Sequence, residues 1–179
     1  MTITIKRARK SVDIVTDLAL QAQYEAAVEA LDRARAEQQV ALENSPGLAE
    51  AKVVTDLEKR MADSAITITL EALSNKVYNE IVATIPARDG DSTDDAYGLD
   101  ISKADALIAP SIVEVTEKKS GKKLAFDPAK EWGPLADELS AAQWEQVFLA
   151  AYLLNKGVSK APFSLAAFAT TRTSERVSN

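Results

Sequence analysis

Residues 65–71 read AITITLE. Apolar side chains at Ile66, Ile68 and Leu70 alternate with Thr67, Thr69 and Glu71, the period-two pattern of a strand with one face covered and one face wet. A second alternating run stands upstream at Ser11-Val12-Asp13-Ile14-Val15, and pairing the two runs is the economical arrangement. What lies between them is helical. Asp17 is placed as an N-cap and Leu18 opens a long helix. Tyr24, Val28 and Leu31 follow at i, i+4 and i+7, while Glu29, Arg33 and Glu37 form i,i+4 pairs on a wetter side. Asn44-Ser45-Pro46-Gly47 breaks that helix, and a second one is predicted from Leu48 to Ala62 with Val54, Leu57 and Met61 on its seam. Two short paired strands therefore bracket a long helical hairpin.

Downstream of the second strand, Ser74 is the natural cap of a helix carrying Tyr78, Ile81, Val82 and Ile85, stopped by Pro86. Residues 87–98, ARDGDSTDDAYG, are acidic and rich in turn formers, which predicts a mobile loop or a domain boundary. Ser102 caps a short helix with Ala106, Leu107 and Ile108. Ile112-Val113-Glu114-Val115-Thr116 reads either as a strand or as more of that helix. Lys118–Lys123 is an exposed turn, and Asp127-Pro128 supplies an N-cap and first helical position. Ser140 and Gln143 form a capping box for the last strong helix, with Trp144, Val147, Phe148, Ala151 and Leu154 inward and Gly157 as its stop. The expected fold is α+β, mainly α. Its predicted parts are a strand–hairpin–strand–helix unit over 1–86, the acidic mobile loop over 87–100, a mostly helical part over 101–157, and an apolar patch with a polar tail over 158–179.

Totals narrow the function. The chain has 179 residues, 46 % of them apolar and 27 % charged, which suits a packed core. A net charge of −6 repels duplex DNA. There is no cysteine and no histidine, which removes disulfides, thiolate nucleophiles, ordinary zinc sites and the commonest general base. The first ten residues hold Lys6, Arg7, Arg9 and Lys10. So short a run reads as a solvated terminus leading into a strand, ahead of a nucleic-acid or membrane arm. No signal-peptide core and no span of about twenty apolar residues is visible, so the expectation is a soluble intracellular protein.

Candidate chemistry is thin. Asp89, Asp91, Asp94, Asp95 and Asp100 could hold a hard cation. However, Asp94 stands where a calcium loop needs glycine and Asp100 where it needs a bidentate glutamate, so a solvated loop is the better reading. Gly121-Lys122 lacks the upstream glycine of a phosphate loop and has Lys123 where Ser or Thr is required. Ser111, Ser120 and Ser164 have no histidine to activate them. Trp132, Trp144, Tyr24, Tyr78 and Tyr152 at helical spacings read as core before they read as a pocket. The remaining feature is the C-terminal apolar set, Tyr152 and Leu153 on the last helix and Phe163, Leu165 and Phe168 beyond a Pro-bearing link. That set describes a surface for proteins, folded back or inserted into a neighbour, with no catalytic group and no metal or cofactor expected.

The order of these blocks carries a resemblance. It is spread over SVDIVTDLALQAQYEAAVEAL (11–31), LAEAKVVTDLEKRMADS (48–64), AITITLEALSNKVYNEIVATIPAR (65–88), LSAAQWEQVFLAAYLLNKG (139–157) and APFSLAAFATTRTS (161–174). Together these blocks resemble the tail assembly chaperones of long-tailed bacteriophages, in the variant common among phages of actinobacterial hosts. The resemblance implies a non-enzymatic protein of the host cell cytoplasm that binds the tape measure protein, keeps it soluble and promotes tail tube assembly around it. It further implies self-association, absence from the finished particle, and contact with the tail tube protein through a longer frameshifted product, this chain being the short form. The rival readings are a permanent structural subunit of the particle, in the tail or the head–tail connector, and a carboxylate-metal enzyme built on Asp89–Asp100.

Overall fold

A computed structural model describes residues 6–38 and 47–157. Over these residues the fold is α+β and mainly α, with seven α-helices and one three-stranded antiparallel sheet. Strand β1 (Arg9–Val15) leads into α1 (Leu18–Gln38); α2 (Leu48–Asp63) returns to β2 (Ala65–Glu71). Then come α3 (Asn75–Thr84), α4 (Ser92–Tyr97), a 3-10 turn at Ile101–Lys103, α5 (Asp105–Ser111), β3 (Ile112–Glu117), α6 (Pro128–Glu138) and α7 (Ala141–Lys156). Among the described residues no helix is long and apolar enough to cross a membrane.

The AITITLE segment is the middle strand. It pairs with β1 in the register Val12 with Ile68, and with β3 in the register Ile68 with Val115. The choice left open at Ile112–Thr116 thus falls to the strand. A register shift at Thr69/Leu70 brings Leu70 opposite Ile112 and leaves Val113 exposed, the usual result of one extra residue in a ladder. Val12, Ile14, Ile68, Leu70 and Val115 point to one face and are buried there beneath Leu107, Ile108, Trp132, Val147 and Phe148. The other face is polar. Ser11 and Thr69 hydroxyls lie 3.1 Å apart, Thr67 donates to Asp13, and Arg9 meets Glu71 at 2.6 Å.

The caps predicted at Asp17, Ser74, Asp127 and Ser140 are in place, whereas Ser102 caps no helix: it lies inside the 3-10 turn that Asp100 caps, and α5 follows Ala104 with no side-chain cap. Leu20 N–H donates to Asp17 Oδ1, Val77 N–H to Ser74 Oγ, and Ser140 and Gln143 form the reciprocal box. Only the end of the break between α1 and α2 is described. Gly47 sits at φ 79°, and a Cβ there would lie 3.1 Å from Leu31 Cδ1, so glycine answers to both conformation and space. Gly157 ends α7 with φ −59°, extended and not left-handed. β1 begins at Arg9, two residues earlier than the alternation suggests, so Arg9 and Lys10 belong to the sheet and not to a solvated arm.

Two partitions drawn from the sequence differ from the structure. The core cluster takes Val12, Ile68 and Ile85 from before residue 87 and Leu107, Val115 and Phe148 from after it. Residues 87–100 hold α4, and Tyr97 and Leu99 pack with that same cluster. The acidic stretch therefore does not divide the core. Both tryptophans are structural, as helical spacing suggests: the indole Nε1 of Trp132 and that of Trp144 both donate to Asp105 Oδ1, at 2.8 and 3.0 Å.

Ile68→Ala, on the middle strand under the core, is expected to cost about 2–5 kcal/mol in chemical denaturation, against less than about 0.5 kcal/mol for Thr69→Val on the polar face. Asp105→Ala removes the acceptor of two indoles and is expected to cost about 1–3 kcal/mol, with a change in the intrinsic tryptophan emission that Ile68→Ala need not produce.

Candidate functional site

Chemistry-bearing side chains gather most densely at residues 88–103. The Arg88 side chain donates through Nε to Asp94 Oδ2 at 2.6 Å and through a terminal nitrogen to Asp94 Oδ1 at 3.1 Å, a two-pronged pair. Asp94 also accepts the backbone N–H groups of Arg88 and Ile101. Arg88 further meets Asp91 at 2.8 Å and Asp100 at 3.4 Å. Asp100 accepts from the Ser102 hydroxyl at 2.6 Å and the Ser102 amide at 3.1 Å, and its other oxygen faces Lys103 Nζ at 2.9 Å. Asp94 and Asp100 are buried, contrary to the solvated loop expected from composition.

Electrostatics follow from the contacts. The Arg88 hydrogen bond holds the Asp94 carboxyl far below the ordinary carboxylate range, with backbone N–H groups adding to it. The Ser102 hydroxyl and then Lys103 lower Asp100. These oxygens serve as helix caps and ion-pair acceptors, and their lone pairs are spent on the chain itself. No group of three or more potential ligands capable of holding a metal occurs among the described residues.

The second region is the end of α7. Tyr152 is half-buried. Its hydroxyl donates to Tyr97 O at 3.2 Å, and its ring packs edge-on to Tyr97 and tilted to Phe148. Lys156 Nζ donates to the same carbonyl and lies over the Tyr152 ring at 5.2 Å. The Asn155 side chain accepts the Leu73 N–H at 2.7 Å. Residues 152, 155 and 156 share one helix face, whereas Leu153 is turned about 100° away and is 52 % exposed. The structure therefore separates the two neighbours: Tyr152 is held in packing and Leu153 is open. Phe163, Leu165 and Phe168 lie outside the described residues.

The third region was not singled out from the sequence. The hairpin of α1 and α2 packs chiefly on itself, with Leu31, Val54 and Leu57 buried along the seam and Tyr24 and Val28 half-buried. Beside that seam runs an open groove of ≈ 450 Å³ lined by Ala26, Ala27, Val53 and Leu57 together with Asp56 and Arg60. Val53 is 52 % exposed there. The groove exists because two alanines stand where larger side chains would close it. Their adjacency was the available signal, hidden in an alanine-rich helix. Arg88 was equally overlooked, although it is the only cation among the five aspartates of residues 87–100.

Compared with protein-family models, with curated proteins and with solved structures, the chain matches none.

Because Asp94 and Asp100 titrate lower in the folded state, their contribution is complete above the ordinary carboxylate value of 3.8 and is lost as pH falls toward their folded values. Thermal melts of the wild type are expected to drop as pH goes from about 5 to 2. Asp94→Asn should melt lower at pH 7 and show a flatter acid slope. An unchanged slope would mean that this cluster does not govern acid unfolding.

Proposed function

We propose that this chain is a bacteriophage tail assembly chaperone that holds helical segments of the tape measure protein, keeps that protein soluble and promotes tail tube assembly around it. The observation that carries the reading is the hairpin of α1 and α2, which packs on itself and leaves an apolar groove between Ala26, Ala27, Val53 and Leu57. A groove flanked by two helices suits an amphipathic helix offering residues at i, i+3, i+4 and i+7. The order of sequence blocks from 11–31 to 161–174 supplies the family. Exposed Leu153 offers a second apolar contact, and Tyr152 serves by fixing the helix turn on which Leu153 stands. The role needs no catalytic group. Asp94 and Asp100, engaged by Arg88, Ser102 and Lys103, favour this reading over a carboxylate-metal enzyme.

The test is co-expression with a tape measure protein as partner. Its soluble yield should rise with this chain present, and the two should co-elute. Leu153→Asp and Val53→Asp each change an exposed side chain, so the variant's own melting should stay within about 0.5 kcal/mol of wild type. Recovery of the partner should fall about tenfold. A partner that stays insoluble beside the well-folded chain, with and without the gene's continuation in the shifted frame, sinks the reading. Mass spectrometry of purified particles separates the rival: a structural subunit is present in them, a chaperone is not.

A further inference from the structure

The sheet has two unequal edges. Outward backbone groups at the end of β3 are taken by the chain that follows: Leu124 N–H donates to Val115 O, Glu117 N–H donates to Lys122 O, and Thr116 bridges Lys123. On β1 they are not. Ala72 N–H donates to Ala8 O and Thr16 N–H donates to Ser64 O. With the register between them, Lys10, Val12 and Ile14 exchange hydrogen bonds with β2. Arg9, Ser11, Asp13 and Val15 consequently aim their N–H and C=O groups away from the sheet. Val15 O receives the Gln143 side-chain amide at 2.8 Å, which closes that end. No described residue takes the outward groups of Arg9, Ser11 and Asp13, and the side chains of Arg9 and Asp13 are 63 % and 47 % exposed.

We propose that this edge pairs with the β1 edge of a second copy of the chain, antiparallel, about a two-fold axis through Ser11. The sequence of the edge is self-complementary in that arrangement. Arg9 stands opposite Asp13 of the second copy, Asp13 opposite its Arg9, and Ser11 opposite its Ser11. In each pair both residues have N–H and C=O directed at one another, so the ladder continues across the axis. The facing side chains are of opposite sign and lie within the reach of a cross-strand pair. Each is backed by a charge on its own sheet: Glu71 behind Arg9 and Lys118 behind Asp13. The row across the interface reads acidic, basic, acidic, basic.

Charges on an exposed edge ordinarily prevent pairing, and here they select one register. Centring on Lys10 sets Lys10 against its own copy. Centring on Arg9 sets Arg9 against Arg9. Centring on Val12 leaves only the Ser11–Asp13 pairs before it meets the Val15 carbonyl, and centring on Asp13 sets Asp13 against Asp13 with Ser11 facing that carbonyl, which Gln143 occupies. The Ser11 register uses the open residues and only those. A two-fold contact of this kind is isologous and closes at a dimer. It depends on nothing in the chaperone reading.

The experiment is sedimentation equilibrium of the full chain over a concentration series reaching about 1 mM. The wild-type mass is expected to rise from monomer toward dimer. Arg9→Asp alone and Asp13→Arg alone each put like charges at both facing positions and should weaken association about tenfold or more. An equimolar mixture of these two variants restores opposite signs at both positions and should dimerise as the wild type does. Ser11→Pro removes an N–H that the sheet itself does not use and should abolish dimerisation while the circular dichroism spectrum stays wild-type. Amide exchange of wild-type Ser11 should slow with rising concentration, independently of any variant. A wild type that remains monomeric throughout overturns the proposal. So does a dimer indifferent to Arg9→Asp and Asp13→Arg, or a mixture that fails to recover.

Discussion

Ile68 has Val12 on one side and Val115 on the other, and that position constrains most of the molecule. A middle strand needs a neighbour at each edge, because its N–H and C=O groups alternate between the two directions and each unpaired buried group is costly. Both neighbours are antiparallel, so each excursion of the chain must leave one end of the sheet and come back to the same end. Between β1 and β2 the excursion consists of two helices. Between β2 and β3 it consists of three short helices and a 3-10 turn. The two excursions fare differently for a reason visible in their side chains. Leu99, Leu107 and Ile108 of the second are fully buried over the sheet, which draws it onto the core. The first carries one narrow apolar seam, satisfied by its own partner helix, and so projects.

Polar side chains inside the body act as fasteners at long range in sequence. The Gln143 side chain accepts from Ser140 N–H and donates to Val15 O and to Gln21, so one amide caps α7 and ties it to the end of β1 and the start of α1. Asn155 ties the other end of α7 to the residue pair after β2. Asp105 receives both indoles. No buried side-chain nitrogen or oxygen among the described residues lacks a partner. A chain with few aromatic residues and many alanines gains less from side-chain volume, and these directed contacts orient α6 and α7 on the sheet. Among the described residues, the hairpin groove, Leu153 and the outward backbone groups of Arg9, Ser11 and Asp13 are left without partners.

Period-two alternation, cap residues and glycine stops are local signals, which is why β1, β2, the hairpin, α3 and α7 could be read from residues 11–85 and 140–157. The sequence by itself also determined what chemistry is unavailable, since the absence of histidine and cysteine needs no coordinates. It could not choose between strand and helix at Ile112–Thr116. Both periodicities fit five residues, and the decision rests on the outer edge of a strand more than forty residues upstream. Nor could it tell that Asp94 and Asp100 are buried: acidity there signals solvent until Arg88 is known to face Asp94. The same limit applies at the C-terminal helix, where adjacency in sequence grouped Tyr152 with Leu153 while helical rotation put one in the packing and the other in the open. Tertiary structure alone decided which carboxylates are engaged, which alanines border a groove and which strand edge the described residues leave open, because each depends on residues brought together across long stretches of chain.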